Sequence, residues 1–285
     1  MSRQQSYYLS RTLFYVVLTI IFVYIVFPFY WAVRSSVSPD SELFVTPVHY
    51  WPFAPTLDHY AQVLTDGQFV RALLNSALVA GSSTILSLFI GTVGAYALGR
   101  FKFRGRLPVM YLILSMTMFP AIAILGSLFD LVQRFGLYNN LLSLIITYLV
   151  FTLPFTIWVL TSFFQSLPKE LEEAAYVDGC TPLETLYKVM LPLVAPGMVT
   201  TGLLAFIASW NEFLFAVSFI QTPENRTVPL AIFLFSTATS SGSSYEIPWG
   251  AIMAGTVIVT IPLVVLTLVF QNRIISGLTA GAVKG

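Results

Sequence analysis

Long apolar runs separated by polar connections set the pattern of this chain. A membrane-crossing helix needs about 20 mostly apolar residues. Six stretches meet that length: residues 13–33, 72–98, 108–132, 141–164, 195–220 and 251–275. The pattern therefore predicts an all-α integral membrane protein with six transmembrane helices in one transmembrane domain, residues 1–285. Pro28, Pro120, Pro154 and Pro262 fall inside these stretches and predict kinks; membrane helices tolerate such prolines where neighbours re-satisfy the freed carbonyls. The first stretch is too long for a signal-peptide core and reads as an uncleaved anchor.

Composition supports the bilayer as solvent. The chain is 56% hydrophobic and 9% charged, with a mean hydropathy of +0.81, whereas soluble domains carry roughly 25% charged residues. A formal net charge of +1 argues against nucleic acid as a partner. Cys180 is the single cysteine and His49 and His59 share one polar segment, so no metal-ligand spacing exists and no metal or resident cofactor is expected.

Basic residues orient the bundle. With the N-terminus in the cytoplasm, Arg3, Arg11, Arg100, Lys102, Arg104, Arg106, Lys169, Lys188, Arg273 and Lys284 lie inside, and Arg34, Arg71, Arg134 and Arg226 lie outside. The dense run at residues 100–106 carries most weight, and both termini are expected to be cytoplasmic.

The inner connection, residues 165–194, holds the most specific pattern. It predicts two short helices joined by a turn. Pro168 is placed to open the first, and Gly179 to end it in a left-handed conformation. Thr181-Pro182-Leu183-Glu184 is a capping box that starts the second, and Pro192 is expected to end it before the fifth span. The first helix is acidic on its exposed side, and Ala174 and Ala175 leave room for close packing.

The sequence Glu173-Ala174-Ala175, Gly179, Val189, Leu191-Pro192, in that spacing, resembles the EAA signature of binding-protein-dependent ABC importer permeases, with Val189 in place of the usual isoleucine. Further stretches resemble the second permease subunit of the maltose and trehalose branch: Asn75-Ser76, residues 95–101, Met118-Phe119-Pro120, residues 210–213 and the tail 277–285. The resemblance implies a transport subunit of a prokaryotic cell membrane, not an enzyme, in which Glu173, Ala174, Ala175, Gly179, Val189, Leu191 and Pro192 couple to an ATPase. It also implies the partners: a second permease subunit, two ATP-binding cassette subunits that carry the ATP and Mg, and an extracytoplasmic sugar-binding protein. The tail is expected to reach toward the ATPase dimer, and the cargo to be an α-linked disaccharide such as trehalose or maltose. Polyol, monosaccharide and glycerophosphate importers share most of these motifs and stay open as alternatives. The residues agree independently that any ATP-driven motor is another polypeptide, because none of the four lysines follows a glycine and no phosphate-binding loop is present.

An ion-coupled secondary transporter is the competing class, but internal repeats and several midplane ionisable groups are missing. Neither H-E-x-x-H nor G-x-S-x-G occurs, which argues against a membrane hydrolase. Asn211 and Glu212 are candidates to line or brace a translocation path, since a carboxylate within a span needs partners. Gly197, Thr201, Ala205 and Ser209 form a small-residue stripe that faces either a partner permease or a neighbouring span. Asp130 and Gln133 read as interfacial, and Tyr245 and Trp249 as candidates for contact with an external protein.

Overall fold

The computed structural model describes residues 3–238 and 247–282, with side chains left undescribed at residues 3–6, 9, 236–238 and 272–282. In chain order the helices are α1 (Arg3–Ser36), α2 (Asp40–Leu43), α3 (Asp58–Thr65), α4 (Gly67–Arg100), α5 (Arg106–Thr117), α6 (Ala121–Arg134) and α7 (Leu141–Ser166). They continue as α8 (Glu170–Val177), α9 (Pro182–Thr185), α10 (Leu191–Trp210), α11 (Leu214–Phe219), α12 (Val228–Ala238) and α13 (Trp249–Ala282). A π-turn, Leu186–Met190, joins α9 to α10. Five of the described helices are long and apolar enough to cross a membrane, and the pair α5 and α6 makes a sixth span if counted as one.

The third span departs from expectation. A single kinked helix over residues 108–132 was predicted, yet α5 and α6 meet at 95°. Pro120 has no N–H to donate and holds an extended backbone at the head of α6. It also disfavours helical geometry at Phe119, so α5 closes with two tight bonds, Met118 N–H to Ser115 O and Phe119 N–H to Met116 O. Pro28, Pro154 and Pro262, in contrast, sit inside unbroken helices. The fifth span is corrected as well: α10 stops at Trp210, and α11 is a separate short helix rather than its continuation to residue 220.

The chain groups into two compact units, one of residues 1–67 and 232–260, the other of residues 68–231 and 261–285. In the first, α1 exposes nearly its whole apolar length. Beyond it, Glu42 accepts from the Phe53 and Ala54 N–H groups, pinning the loop that follows α2. His59 is buried, with Nε2 3.0 Å from the Ser38 carbonyl.

In the second unit, α4, α7 and α10 pack through small and hydroxylated residues. Ser87 Oγ lies 2.8 Å from Thr156 Oγ1, and Ser83 Oγ donates to Ser209 Oγ at 3.2 Å. Close helix approach is how membrane bundles gain packing energy without a hydrophobic drive. Gly197, Thr201, Ala205 and Ser209 are all buried. A Cβ at Gly197 would lie 2.7 Å from the Phe163 ring, and the neighbouring Gly202 meets Leu88, so this stripe faces spans of the same chain. The bend between α5 and α6 borders an apolar cavity of about 760 Å³, lined in part by Leu112, Met116, Phe119, Ile146, Phe151 and Phe215.

These contacts predict that Gly197→Leu overpacks the α7–α10 seam and costs about 1–3 kcal/mol. Gly81→Ala faces open space in mid-helix and should be neutral or stabilising by up to about 1 kcal/mol. Thermal unfolding of the two purified variants in detergent separates them; equal midpoints would contradict the packing described.

Candidate functional site

The hairpin between α7 and α10 is built by local signals. α7 ends at Ser166 and Leu167 is extended; Lys169 takes the N-cap position of α8, which begins at Glu170, two residues after the proline expected to open it. Gly179 has φ +85° and closes the helix: its N–H reaches Tyr176 O, and Cys180 N–H reaches Ala175 O at 2.9 Å. This is the left-handed stop that only glycine adopts without a Cβ penalty. The capping box then forms as expected, with Glu184 N–H donating to Thr181 Oγ1 and Thr181 N–H to Glu184 Oε2. Lys188 Nζ adds a bond to Glu184 Oε1 at 2.8 Å.

Pro192 does not end the second helix. The chain runs from α9 through the π-turn straight into α10, with Pro192 in its first turn. A proline there lacks the N–H for the Lys188 carbonyl and its ring crowds that carbonyl. The widened turn just ahead, where Leu191 N–H reaches back to Leu186 O, accommodates both defects.

The hairpin has an inner and an outer face. Ala175, Leu186 and Met190 are buried, and the last two join Ala95, Tyr96, Leu160, Phe164 and Val194 in one apolar cluster. Val189 packs half-buried against that cluster, while Leu191 is half-buried and Pro192 exposed. Glu170, Glu173 and Ala174 point outward, beside exposed Val177, Leu183 and Tyr187. Val177 is 87% exposed, in the same hairpin as exposed Leu183 and Tyr187.

Sequence reasoning missed what anchors this face. Glu172, one residue before Glu173, turns inward, and Arg100 Nε donates to its Oε2 at 2.8 Å, with the two side chains 4% and 13% exposed. Tyr96 and Tyr176 hydroxyls both donate to Glu172 Oε1, at 2.9 and 3.1 Å. A phenol is protonated at neutral pH and donates; partial burial pushes that of Tyr176 further up. The same guanidinium donates to the Leu167 and Pro168 carbonyls at 2.9 and 3.0 Å and to Phe164 O at 3.3 Å, closing the C-terminal end of α7. In the sequence Arg100 registers as part of the dense inside run 100–106 and of the resembling stretch 95–101, not as a brace; its spacing of one turn after Tyr96 is the available signal.

Asn211 and Glu212 fall in the break between α10 and α11. Glu212 Oε1 accepts from Phe215 N–H at 2.7 Å and Oε2 from Ala216 N–H at 3.3 Å, so the carboxylate caps α11. Asn211 Nδ2 donates back to Ile207 O and the residue is exposed. Next to this break a second knot forms that sequence reasoning also missed. Asn139, at φ 57°, accepts through Oδ1 from Gln221 and Thr222 N–H groups. Asn75 Nδ2 donates to the Glu224 and Arg226 carbonyls, and Val228 N–H donates to Ser76 Oγ. Asp130 pairs with Arg134 on an exposed surface. Tyr245 and residues 283–285 of the tail lie outside the described residues, and α13 runs helical to Ala282.

A polytopic bundle that holds out a short acidic hairpin, braced by its own span ends, defines a membrane transport component. The chain belongs to the family of inner membrane components of binding-protein-dependent transport systems, whose family model matches residues 83–279. It is 39% identical over 280 residues to a sulfoquinovosyl glycerol transport system permease protein of Agrobacterium fabrum, covering 98% of this chain and 96% of that one. It is 40% identical over 279 residues to a trehalose/maltose transport system permease protein of Thermococcus litoralis, covering 97% and 98%. The fold superposes with a TM-score of 0.79 and 25% identity on the crystal structure of a bacterial ABC transporter involved in the import of the acidic polysaccharide alginate, over 95% of this chain and 98% of that one.

No atom stands within 4 Å of a Cβ built at Gly179, so the backbone alone penalises substitution there. Gly179→Val should loosen α8, whereas Gly179→Asn, which tolerates positive φ, should preserve it. Hydrogen exchange across residues 170–177 reads the difference; equal protection in both variants would contradict the stop assigned to Gly179.

Proposed function

We propose that this chain is one permease subunit of an ATP-driven sugar importer, and that the hairpin is its docking element for an ATP-binding subunit. The outward set of Glu170, Glu173 and Val177 on a helix braced by Arg100 is the observation that carries this reading. Such a face offers acidic groups and one apolar knob to a basic, apolar groove on the partner. Glu173, Ala174 and Gly179 act at that contact or aim it, and Val189, Leu191 and Pro192 seat the hairpin on α10. A second permease subunit completes the path, two ATP-binding cassette subunits supply ATP and Mg, and an extracytoplasmic binding protein delivers the cargo. The hairpin and both termini then face the cytoplasm of a prokaryotic inner or plasma membrane. Closure of the motors pushes on the hairpins and rocks the spans between inward-open and outward-open states. Glu212 braces the α10–α11 break and Asn211 stands exposed beside it, which supports a place for both along the path.

A sugar cargo is supported by the substrates in the names of the two relatives, sulfoquinovosyl glycerol and trehalose or maltose, each of which contains a sugar unit. An α-linked disaccharide is the specific cargo proposed, on the strength of the trehalose/maltose similarity.

Reconstitution of the permease pair with its ATPase and binding protein should give ATP-dependent uptake of trehalose or maltose. Glu173→Ala should reduce ATPase co-purification and uptake together by about tenfold, the loss expected when a charged pair at an interface loses one member. Normal uptake and recovery would remove the docking role, and uptake of a different solute would remove the disaccharide. For topology, a membrane-impermeant maleimide should label Cys180 in inverted vesicles lacking the ATPase and not in intact cells; labelling from outside would reverse the orientation.

A further inference from the structure

We infer that Arg100 and Glu172 form a positioning pair that makes the docking hairpin and the ends of α4 and α7 move as one piece. Their role is to convert hairpin displacement into span movement, distinct from docking itself. The inference rests on the function proposed above.

Three features of the geometry point there. First, the acidic residues of α8 divide by side: Glu170 and Glu173 face outward and Glu172 faces in, one helical residue from the docking glutamate. Any push on Glu173 is therefore felt by Glu172 through a single rigid turn. Second, Glu172 is gripped from α4 at two levels. Arg100 holds Oε2 and Tyr96, one turn earlier, holds Oε1. A carboxylate held at both oxygens by residues of one helix resists rotation as well as translation, which a lone hydrogen bond does not. Third, the other guanidinium nitrogens are spent on the end of α7 and the two residues after its last turn, at the Phe164, Leu167 and Pro168 carbonyls. One side chain thereby ties the ends of two spans to the hairpin helix.

The surroundings favour a joint that stays closed. Tyr96 packs edge-on against Phe164 and Phe101, with ring centroids 5.5 Å apart in each case. Arg100 and Glu172 are mostly shielded from water, so a separated pair would leave each charge partly desolvated. The hairpin's other packing attachment, the apolar cluster with Leu186 and Met190, is non-directional. The ion pair supplies the direction that the cluster lacks. Planar, forked donation also explains why the residue is arginine; a lysine carries the charge but cannot serve Glu172 and the α7 carbonyls together.

The experiment compares Arg100→Gln, Glu172→Gln, the double variant and Tyr96→Phe in the complete transporter, reconstituted with ATPase and binding protein. Uptake by the wild-type complex tests the proposed function by itself, so its absence would sink that reading before the variants are compared. With wild-type uptake present, both ion-pair variants should retain ATPase co-purification and ATP hydrolysis within about twofold. Uptake per complex should fall by about tenfold, raising ATP consumed per sugar by a similar factor. The double variant should be no worse than the poorer single one, because the two residues act as a unit. A merely structural role predicts fewer complexes, each with the wild-type ratio of ATP to sugar, and that result overturns the inference, as does normal uptake. If the ion-pair variants fail to assemble, Tyr96→Phe decides. It deletes one grip on Glu172 and keeps the ring packing, and should raise the ATP-to-sugar ratio by about threefold; an unchanged ratio overturns the pair's role.

Discussion

A guanidinium shared between three helix ends holds the α8 hairpin in place. Arg100 closes the carbonyl end of α7, terminates α4 and fixes Glu172 on α8. Helix ends leave several carbonyls without partners, and at the boundary of a bilayer those groups must be satisfied locally or by water. Using an arginine for the purpose solves the capping problem and creates the attachment in one step. How the hairpin is joined to the spans depends on that attachment, because Glu172 is held one residue from the outward Glu173.

The bundle itself is assembled by a different logic. Apolar length places the helices in lipid, and lipid offers them no reason to associate. The seams between α4, α7 and α10 are accordingly lined with Ser, Thr and Gly, whose small size lets backbones approach and whose hydroxyls find partners across the seam or on their own helix, as Thr201 does on Gly197 O. Some helix starts and one loop are stabilised by polar side chains: Glu212 at the head of α11, Asn140 at the head of α7, and Asn139 and Asn75 on the loop after α11. A break without such partners would leave backbone groups exposed to hydrocarbon.

Much of this was legible in the sequence, and the physical reasons differ by feature. Apolar length revealed the six span regions because hydropathy acts locally. Gly179 and the Thr181–Glu184 box were readable because a positive φ and a reciprocal cap are one-residue and four-residue requirements. The 95° break at Pro120 was not, since four prolines gave the same local signal and only the surroundings distinguish them. The inward turn of Glu172 was hidden for a related reason. Three glutamates within four residues look alike until the helix is docked and its phase against α4 is known. Glu212 reads in the sequence as an exceptional carboxylate in a span; the structure gives it two backbone N–H groups to accept from, which accounts for its presence structurally.

With Arg100 and Glu172 paired, the hairpin and the ends of α4 and α7 form one rigid piece. Spin labels at Lys102 and Asp178, both exposed, in a chain whose single native thiol is replaced by Cys180→Ser, report the distance between the end of α4 and the end of α8. Pulsed electron-spin measurements on the reconstituted complex, without nucleotide and with ATP trapped, should give one narrow distance distribution that is the same in both states. A distribution that shifts or splits on ATP binding would show the hairpin moving independently of the spans and would contradict the account.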